Sequence, residues 1–318
     1  MLHRDVDRLP YLIGLRHSAQ ARGLEIDIVR HQQAGKEDWG ENLRRGTVDV
    51  IAENSWALQR YRAKGVPFVT LASAAHVWQE LLVARAGITT LADLRGKKLA
   101  ARLTGPQASF PKVLFERTGL AGDVEIVTYA EKDTGRWGHW QKVADGTCDA
   151  CFMLPSYIEP AYAAGLQDVS YPVFAFDGAH IVPTTTEAFV AGNRATIRTL
   201  VESMFDTNAR IQADAAWFRE CASEARGALL EHFNFDDEAA FERFCAYQRA
   251  EIAPLPIPTA QGIANAYDVA CPQFPDVAGF NSLEMWDLSF AREILNSRQS
   301  ANTSAGSTVA APPGDIRK

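Results

Sequence analysis

Apolar positions follow two alternating rhythms through the first half of the chain. Between Leu2 and about Leu154, short β-branched runs alternate with stretches whose apolar residues recur every three to four positions, the signature of βαβ units around mainly parallel sheets. The pattern predicts helix over 10–22, strand over 25–30, helix over 38–45, strand over 48–52, helix over 55–63 and strand over 67–72. Gly23, Gly46 and Gly65 close these helices, each as a left-handed cap followed by a strand. A further strand over 80–84 (ELLVA) leads through a short capped helix to a strand over 98–102, where the alternation restarts. Helix over 106–118, strand over 124–128, helix over 139–144, strand over 148–153 and helix over 156–164 complete this second round. Two rounds of βα units imply two lobes, each with its own sheet.

Past Asp177 the rhythm changes, with a strand expected over 180–190 and mostly helix thereafter. Ile197, Leu200, Val201, Met204, Phe205 and Ile211 recur at helical spacing, as do Phe241, Phe244 and Cys245, and then Leu283, Trp286, Phe290 and Ile294. Such stripes are core. Residues 297–318, rich in Ser, Ala, Thr, Pro and Gly, are expected to form a disordered tail.

The chain has 318 residues, enough for two domains that each bury a core without metals or disulfides. Its 32 Lys and Arg against 39 Asp and Glu give a net charge of −7 with no basic stripe, so nucleic acid is not an expected partner. No apolar run reaches the roughly 18–20 residues that span a bilayer. The first residues interleave charge with apolar positions where an export signal needs an unbroken apolar stretch, so the expected location is cytoplasmic, or periplasmic if the start is missing. Five cysteines without repeated spacing suit buried thiols in a reducing compartment. Cys148-Asp-Ala-Cys151 falls inside an expected strand, where residues three apart face opposite ways, so it does not read as a redox pair. With no metal-ligand spacing, P-loop or dinucleotide fingerprint, no metal and no cofactor is expected.

Five segments in order carry a resemblance: Gly23-Leu-Glu-Ile-Asp-Ile-Val29, Leu43-Arg-Arg-Gly-Thr-Val-Asp-Val50, Ala63-Lys-Gly-Val-Pro-Phe-Val69, Gly87-Ile-Thr-Thr-Leu-Ala-Asp-Leu-Arg-Gly-Lys-Lys98 and Val143-Ala-Asp-Gly-Thr-Cys-Asp-Ala150. Over about residues 1–215 the chain resembles type-2 periplasmic binding proteins of the group that takes up nitrate, sulfonates or taurine and includes thiamine-pyrimidine-synthase-like proteins. The resemblance implies an α/β fold of two lobes joined by two crossing strands near 80–84 and 180–190, with a helical C-terminal part. Lobe one would comprise 1–84 plus 180–296 and lobe two 85–179. It implies a substrate-binding protein of ABC-transporter type that closes its lobes on a small-molecule ligand of the sulfonate, nitrate, carboxylate or pyrimidine class, with an ABC permease as partner if exported. The same scaffold carries cytoplasmic enzymes, and Asp5-Val-Asp-Arg8, Asp49-Val-Ile-Ala-Glu-Asn-Ser55 and Pro67-Phe-Val69 are faintly similar to 4,5-dihydroxyphthalate decarboxylases. That alternative is a cofactor-independent lyase with His31, His76 or His139 as general acid.

In such a fold the cleft is lined by whatever follows each strand. Asp5, Arg8 and Tyr11 follow the first strand, His31 the second, and Asn54, Ser55 and Trp56 the third. Asn54 and Ser55 stand where a helix begins, able to cap it or to meet an anion. In lobe two, Arg102, Thr104 and Gly105 form the best anion-site candidate, the alternative being an ordinary turn with Arg102 paired to a carboxylate. His76, Trp137, His139, Ser156 and His180 complete the candidate lining, with aromatic groups from both lobes suited to a ring or a methylated amine.

Overall fold

The computed structural model describes residues 1–3, 6–30, 39–78, 80–135, 138–169, 176–231, 233 and 237–306. Two five-stranded sheets organise them. The first has the order β2 (Val29–Arg30), β1 (Leu2–His3), β3 (Ile51–Glu53), β12 (Val182–Thr186), β4 (Phe68–Thr70). Its β1 runs parallel to β2 and β3, while β12 enters antiparallel between β3 and β4. The second has the order β10 (Gln167–Asp168), β6 (Leu81–Ala84), β9 (Ala150–Met153), β7 (Lys98–Arg102), β8 (Glu125–Tyr129), with β7 parallel to both its neighbours. Between them lies a separate antiparallel ladder of β5 (Ala75–Val77) and β11 (Asp177–His180). The chain leaves the first sheet through β5 and returns to it through β11, so two strands cross between two sheets.

The crossing falls earlier than the sequence pattern predicts. Residues 81–84 belong wholly to the second sheet, and the expected 180–190 strand is three pieces. It breaks at Ile181, whose φ of 52° is the positive value found outside glycine among the described residues. It ends at Thr186, whose hydroxyl accepts the Phe189 N–H at 3.1 Å and so starts a helix, Glu187–Gly192. The expected 25–30 strand is likewise short: Leu24, Ile26 and Ile28 pack against the core as an irregular segment before β2.

Helix α1 (Leu9–Gln20) packs against two long C-terminal helices, Arg194–Ala213 and Ala215–Leu230, and with Glu238–Glu251 they bury one large apolar core beside the first sheet. A second core is continuous from the first sheet and its helix Ser55–Ala63 (Ile51, Phe68, Leu58) through Trp78 to the second sheet and its helix Phe110–Thr118 (Leu82, Phe152, Phe110). Helix Ala260–Ala270 closes its back, packing on β11, on Ser55–Ala63 and on Phe110–Thr118. That approach needs Gly262: a Cβ there would lie 2.5 Å from the Gly178 carbonyl oxygen. Thr259 Oγ1 donates to Asp177 Oδ2 at 2.7 Å and Asn265 Nδ2 to the Asp177 carbonyl at 2.8 Å, fixing the helix to the returning strand.

Two further expectations change. The last helix, Ser289–Gly306, takes in residues 297–306 of the expected tail; Ser297 and Ser300 bond their hydroxyls to carbonyls four residues back, and no proline lies between Ser289 and position 312. Residues 307–318 lie outside the described set. Cys148 and Cys151 share one apolar cluster rather than facing apart, because β9 begins only at Ala150 and strand alternation does not reach Cys148. Burial raises both thiol pKa values, and both cysteines are free.

Asn208, fully buried, ties the first sheet's helices to the crossing. Its amide donates to the carbonyls of Ala74 and Ala253 at 3.0 and 2.8 Å, and its Oδ1 accepts the Tyr11 hydroxyl at 2.9 Å. Asn208→Ala strands two carbonyls and a hydroxyl and is expected to cost about 2–4 kcal/mol in urea unfolding, whereas Tyr11→Phe is expected to cost about 1–2 kcal/mol. Equal costs would contradict this division of roles.

Candidate functional site

Strand tips of both sheets carry polar side chains that are sealed from water. After β1, a 3-10 turn (Val6–Arg8) delivers Asp7 and Arg8; at the end of β3 stand Glu53, Asn54 and Ser55. From the second sheet come Glu80 before β6, Arg102 and Gln107 after β7, and Ser156 after β9. The ladder adds His76 and His180, and Glu251 arrives from the end of the Glu238–Glu251 helix. Asp7, Arg8, Glu53, Ser55, Glu80, Gln107, Ser156, His180 and Glu251 are all under one-tenth exposed. On the first-sheet side, Arg8, Ala52, Glu53, Asn54 and Ile181 surround a narrow crevice too tight to hold a water molecule.

Both arginines are engaged. Arg8 donates to Glu251 at 3.3 Å, and Arg102 donates to Glu131 at 2.9 Å and to Gln107 at 3.5 Å. Gln107 in turn donates to Glu80. Several buried atoms have no hydrogen-bond partner among the described residues: Glu80 Oε2, Glu251 Oε1, Ser156 Oγ, His180 Nε2 and Trp78 Nε1. Each such atom ordinarily costs about 1–3 kcal/mol if left unpaired, so their concentration at the strand tips marks a place built to be re-partnered.

The titrating groups are displaced mainly by burial. Glu80 and Glu251 are each pushed up to about 8, despite the opposing pull of Gln107 and Arg102 on the first and of Arg8 on the second. His139 is pushed down to about 4, its Nε2 bonded to the Phe152 carbonyl at 2.7 Å. His76 and His180 are lowered too, the latter well below the ordinary imidazole range through burial and the nearby Arg8 charge. These imidazoles are neutral near pH 7.

A family model described as NMT1/THI5 like matches residues 20–215. The chain belongs to the NMT1/THI5-like family. Its fold matches that of a putative sulfonate ABC transporter's periplasmic sulfonate-binding protein SsuA from Methylobacillus flagellatus KT, with TM-score 0.64, 14% identity and 94% of each chain covered. The alkanesulfonate-binding protein SsuA from Xanthomonas axonopodis pv. citri, bound to MOPS, matches with TM-score 0.59 and 13% identity over 90% of this chain and 97% of that one. The desulfurization enzyme DSZB matches with TM-score 0.58 and 15% identity over 94% of this chain and 99% of that one. No curated protein matches by sequence. The architecture is therefore the periplasmic-binding-protein-like α/β fold with a helical C-terminal part.

Within this NMT1/THI5-like chain the residues expected to line the cleft separate into groups. Arg8, Asn54, Ser55, Arg102, Ser156 and His180 stand at the strand tips or on the ladder. Asn54 does not cap its helix; its Oδ1 accepts from His180 Nδ1 at 2.9 Å, while Ser55 donates to the Ala179 carbonyl at 2.9 Å. Tyr11 is instead a core residue bonded to Asn208, and Trp56 is stacked on Phe274 with ring centres 5.8 Å apart. At the Arg102 loop, Arg102 holds Glu131, and Thr104 is exposed on a turn whose Gly105 has φ 82°. Asp5, His31 and Trp137 lie outside the described residues. Pattern reading missed Glu80 and Glu251. A glutamate opening the apolar run Leu81-Leu-Val-Ala84 is a signal for the first; nothing in the sequence marks the second, which tertiary packing alone brings in.

A larger recess, about 580 Å³ with its open mouth, lies at the β1–β3 edge, lined by Met1, Leu24, Ile26, Asp49, Phe189 and Leu200. It lacks the convergence of buried polar groups found at the strand tips. Among the described residues no group of His, Cys, Asp and Glu has a metal-binding arrangement, and no helix is long and apolar enough to cross a membrane.

The carboxyl shifts have a defined sign. Between about pH 4.5 and 8 the folded state holds protons on Glu80 and Glu251 that the unfolded chain releases, so stability falls as pH rises. The lowered histidines act oppositely, but only below about pH 6.5. Unfolding free energy is therefore expected to fall between pH 6.5 and 8 by up to ~1.4 kcal/mol per unit for each carboxyl. Glu80→Gln should make that slope shallower in urea titrations; an unchanged slope would show that Glu80 is ionised in the folded protein.

Proposed function

We propose that the protein is a small-molecule binder of the substrate-binding type, whose two sheets close on a ligand held at their strand tips. The observation that carries this reading is the set of water-sealed polar atoms without partners, contributed by both sheets and the ladder between them. A ligand entering there would give Ser156 and His180 partners and would be gripped from both sides, which favours the closed arrangement in proportion to its differential affinity. The names of the fold neighbours support the same kind of role: two are sulfonate-binding proteins, one of them a component of an ABC transporter. In that role the partner is an ABC permease and the working location is outside the cytoplasmic membrane.

As to ligand class, a ring with hydrogen-bonding substituents fits this site better than a simple anion. Arg102 already holds the Glu131 carboxylate, so a sulfonate or nitrate at that loop would compete with Glu131 for its counter-charge. An aromatic group adjoins the ladder: Trp78, stacked on Phe110 in the core at 4.7 Å, stands edge-on to His180 at 5.1 Å.

A thermal-shift panel of sulfonates, nitrate, carboxylates, amines and pyrimidines is the test, with recovery of the ligand by NMR. At least one class is expected to raise Tm by several degrees at a hundredfold excess over Kd, and to be recovered unchanged. A hit converted to product would replace the binding role with catalysis, and a panel without a stabilising member would sink the reading.

A further inference from the structure

We propose that one face of the helix Glu238–Glu251 latches the two sheets together before any ligand arrives, through Arg243 and Tyr247, so that release of this latch governs entry to the strand tips. The proposal rests on the binding role above and adds its gate.

A closed site poses the problem of access. The crevice beside Arg8 and Asn54 is too tight for a water molecule, yet Ser156 Oγ and His180 Nε2 stand at the strand tips without partners among the described residues. A ligand reaches them only when the sheets part. The hydrogen-bonded groups named at the strand tips do not span that parting: Arg8 and Glu251 both belong to the first-sheet side, and Arg102, Gln107 and Glu80 all to the second. Contacts that do span it come from the helix Glu238–Glu251. Its Phe241, Phe244 and Cys245 are buried in the core beside the first sheet, and just past its end the Ala253 N–H donates to the Ala74 carbonyl at 2.9 Å, next to the ladder. From that joint outward, Glu251, Tyr247 and Arg243 recur every four residues and so share one face, each step about 6 Å farther along the helix.

Both outer residues on this face reach the second sheet. The Tyr247 hydroxyl donates to Asp168 Oδ2 at 3.3 Å and, its proton so engaged, accepts from the Tyr162 hydroxyl at 3.0 Å. Arg243 grips Glu159 with two guanidinium nitrogens, Nε to Oε1 at 3.1 Å and Nη2 to Oε2 at 2.6 Å. Asp168 lies on β10 at the edge of the second sheet, and Glu159 and Tyr162 on the helix Glu159–Ala163 between β9 and β10. An exposed ion pair contributes little, but this one is bidentate and its carboxylate side chain is only 14% exposed. Other contacts between the two sides, from Ser109 to the Val269 carbonyl at 2.7 Å and from Gln273 to Ser109 at 2.7 Å, sit at the helix behind the ladder, where a hinge moves least. The Arg243 and Tyr247 contacts lie out along the lever, so they are the ones that opening must break. A latch that holds without ligand makes the open form a minority, which lowers apparent affinity by the open fraction.

Amide hydrogen exchange of the full chain without ligand tests the latch. Arg243→Ala combined with Tyr247→Phe is expected to speed exchange at the strand-tip segments Glu53–Trp56 and Gly105–Ala108 roughly tenfold, while the core helix Arg194–Ala213 exchanges as in the wild type. Arg243→Glu alone should also open the latch by repelling Glu159, and adding Glu159→Arg should restore the wild-type rates. Unchanged exchange at the strand tips, equal acceleration in the tips and the core helix, or no restoration by the charge swap would overturn the latch. Small-angle scattering of the unliganded wild type needs no variant to fold: a profile matching the closed arrangement is expected, and a more extended one would overturn the proposal. Each overturning result leaves the binding role standing, whereas a ligand panel with no hit removes that role and leaves the opening measured here in place.

Discussion

Glutamates sealed away from water are expensive unless something else in the molecule compensates them, and this chain keeps two, Glu80 and Glu251, at the meeting of its sheets. Each sits beside a guanidinium and each retains an oxygen without a partner. The cost is tolerable because burial keeps the carboxyls protonated near neutral pH, and because the apolar cores on either side hold the sheets in place. A core that runs continuously from Ile51 and Phe68 through Trp78 to Phe110 and Phe152 imposes this proximity. The polar groups are carried inward by the packing around them.

The double crossing sets where that strain is held. β5 and β11 form a two-stranded ladder apart from both sheets, with Ala75 also bridged to Ile252, and this joint is clamped from behind by the helix over Ala260–Ala270. Gly262 lets that helix touch the Gly178 carbonyl, and Asn265 and Thr259 hold Asp177. Ile181, with its positive φ, turns the chain from the ladder into β12 and lines the narrow crevice with Arg8 and Asn54. Hinge motion in proteins of two lobes is absorbed by a few residues at element ends, and this turn is where the chain can supply it.

Much of this was legible in the sequence because local periodicity and glycine caps are local signals. Helix Ser55–Ala63 and strand Lys98–Arg102 fall on the residues their patterns predict, and Gly23, Gly46 and Gly65 have φ of 75°, 71° and 79°. The site was legible where it follows strands directly, as at Arg8, Asn54, Ser55, Arg102 and Ser156. It was illegible where packing between distant segments decides. Tyr11 follows β1 as a cleft residue would, yet Asn208, 197 positions away, draws its hydroxyl into the core. Glu251 lies on a helix whose own pattern says only which face is buried, and Arg8, 243 positions away, gives it its role. Position 181 reads as mid-strand because β-branched isoleucine favours that conformation; the topology of the return overrides the preference.

Amide hydrogen exchange of the full chain, with and without a stabilising ligand, tests the placement of the site most directly. Protection gained together at Glu53–Trp56 beyond β3, at Gly105–Ala108 beyond β7 and at Leu154–Tyr157 beyond β9 is the result this account requires. Protection confined to one sheet, or centred on Leu24–Asp27 and Asp49 at the opposite edge, would contradict it.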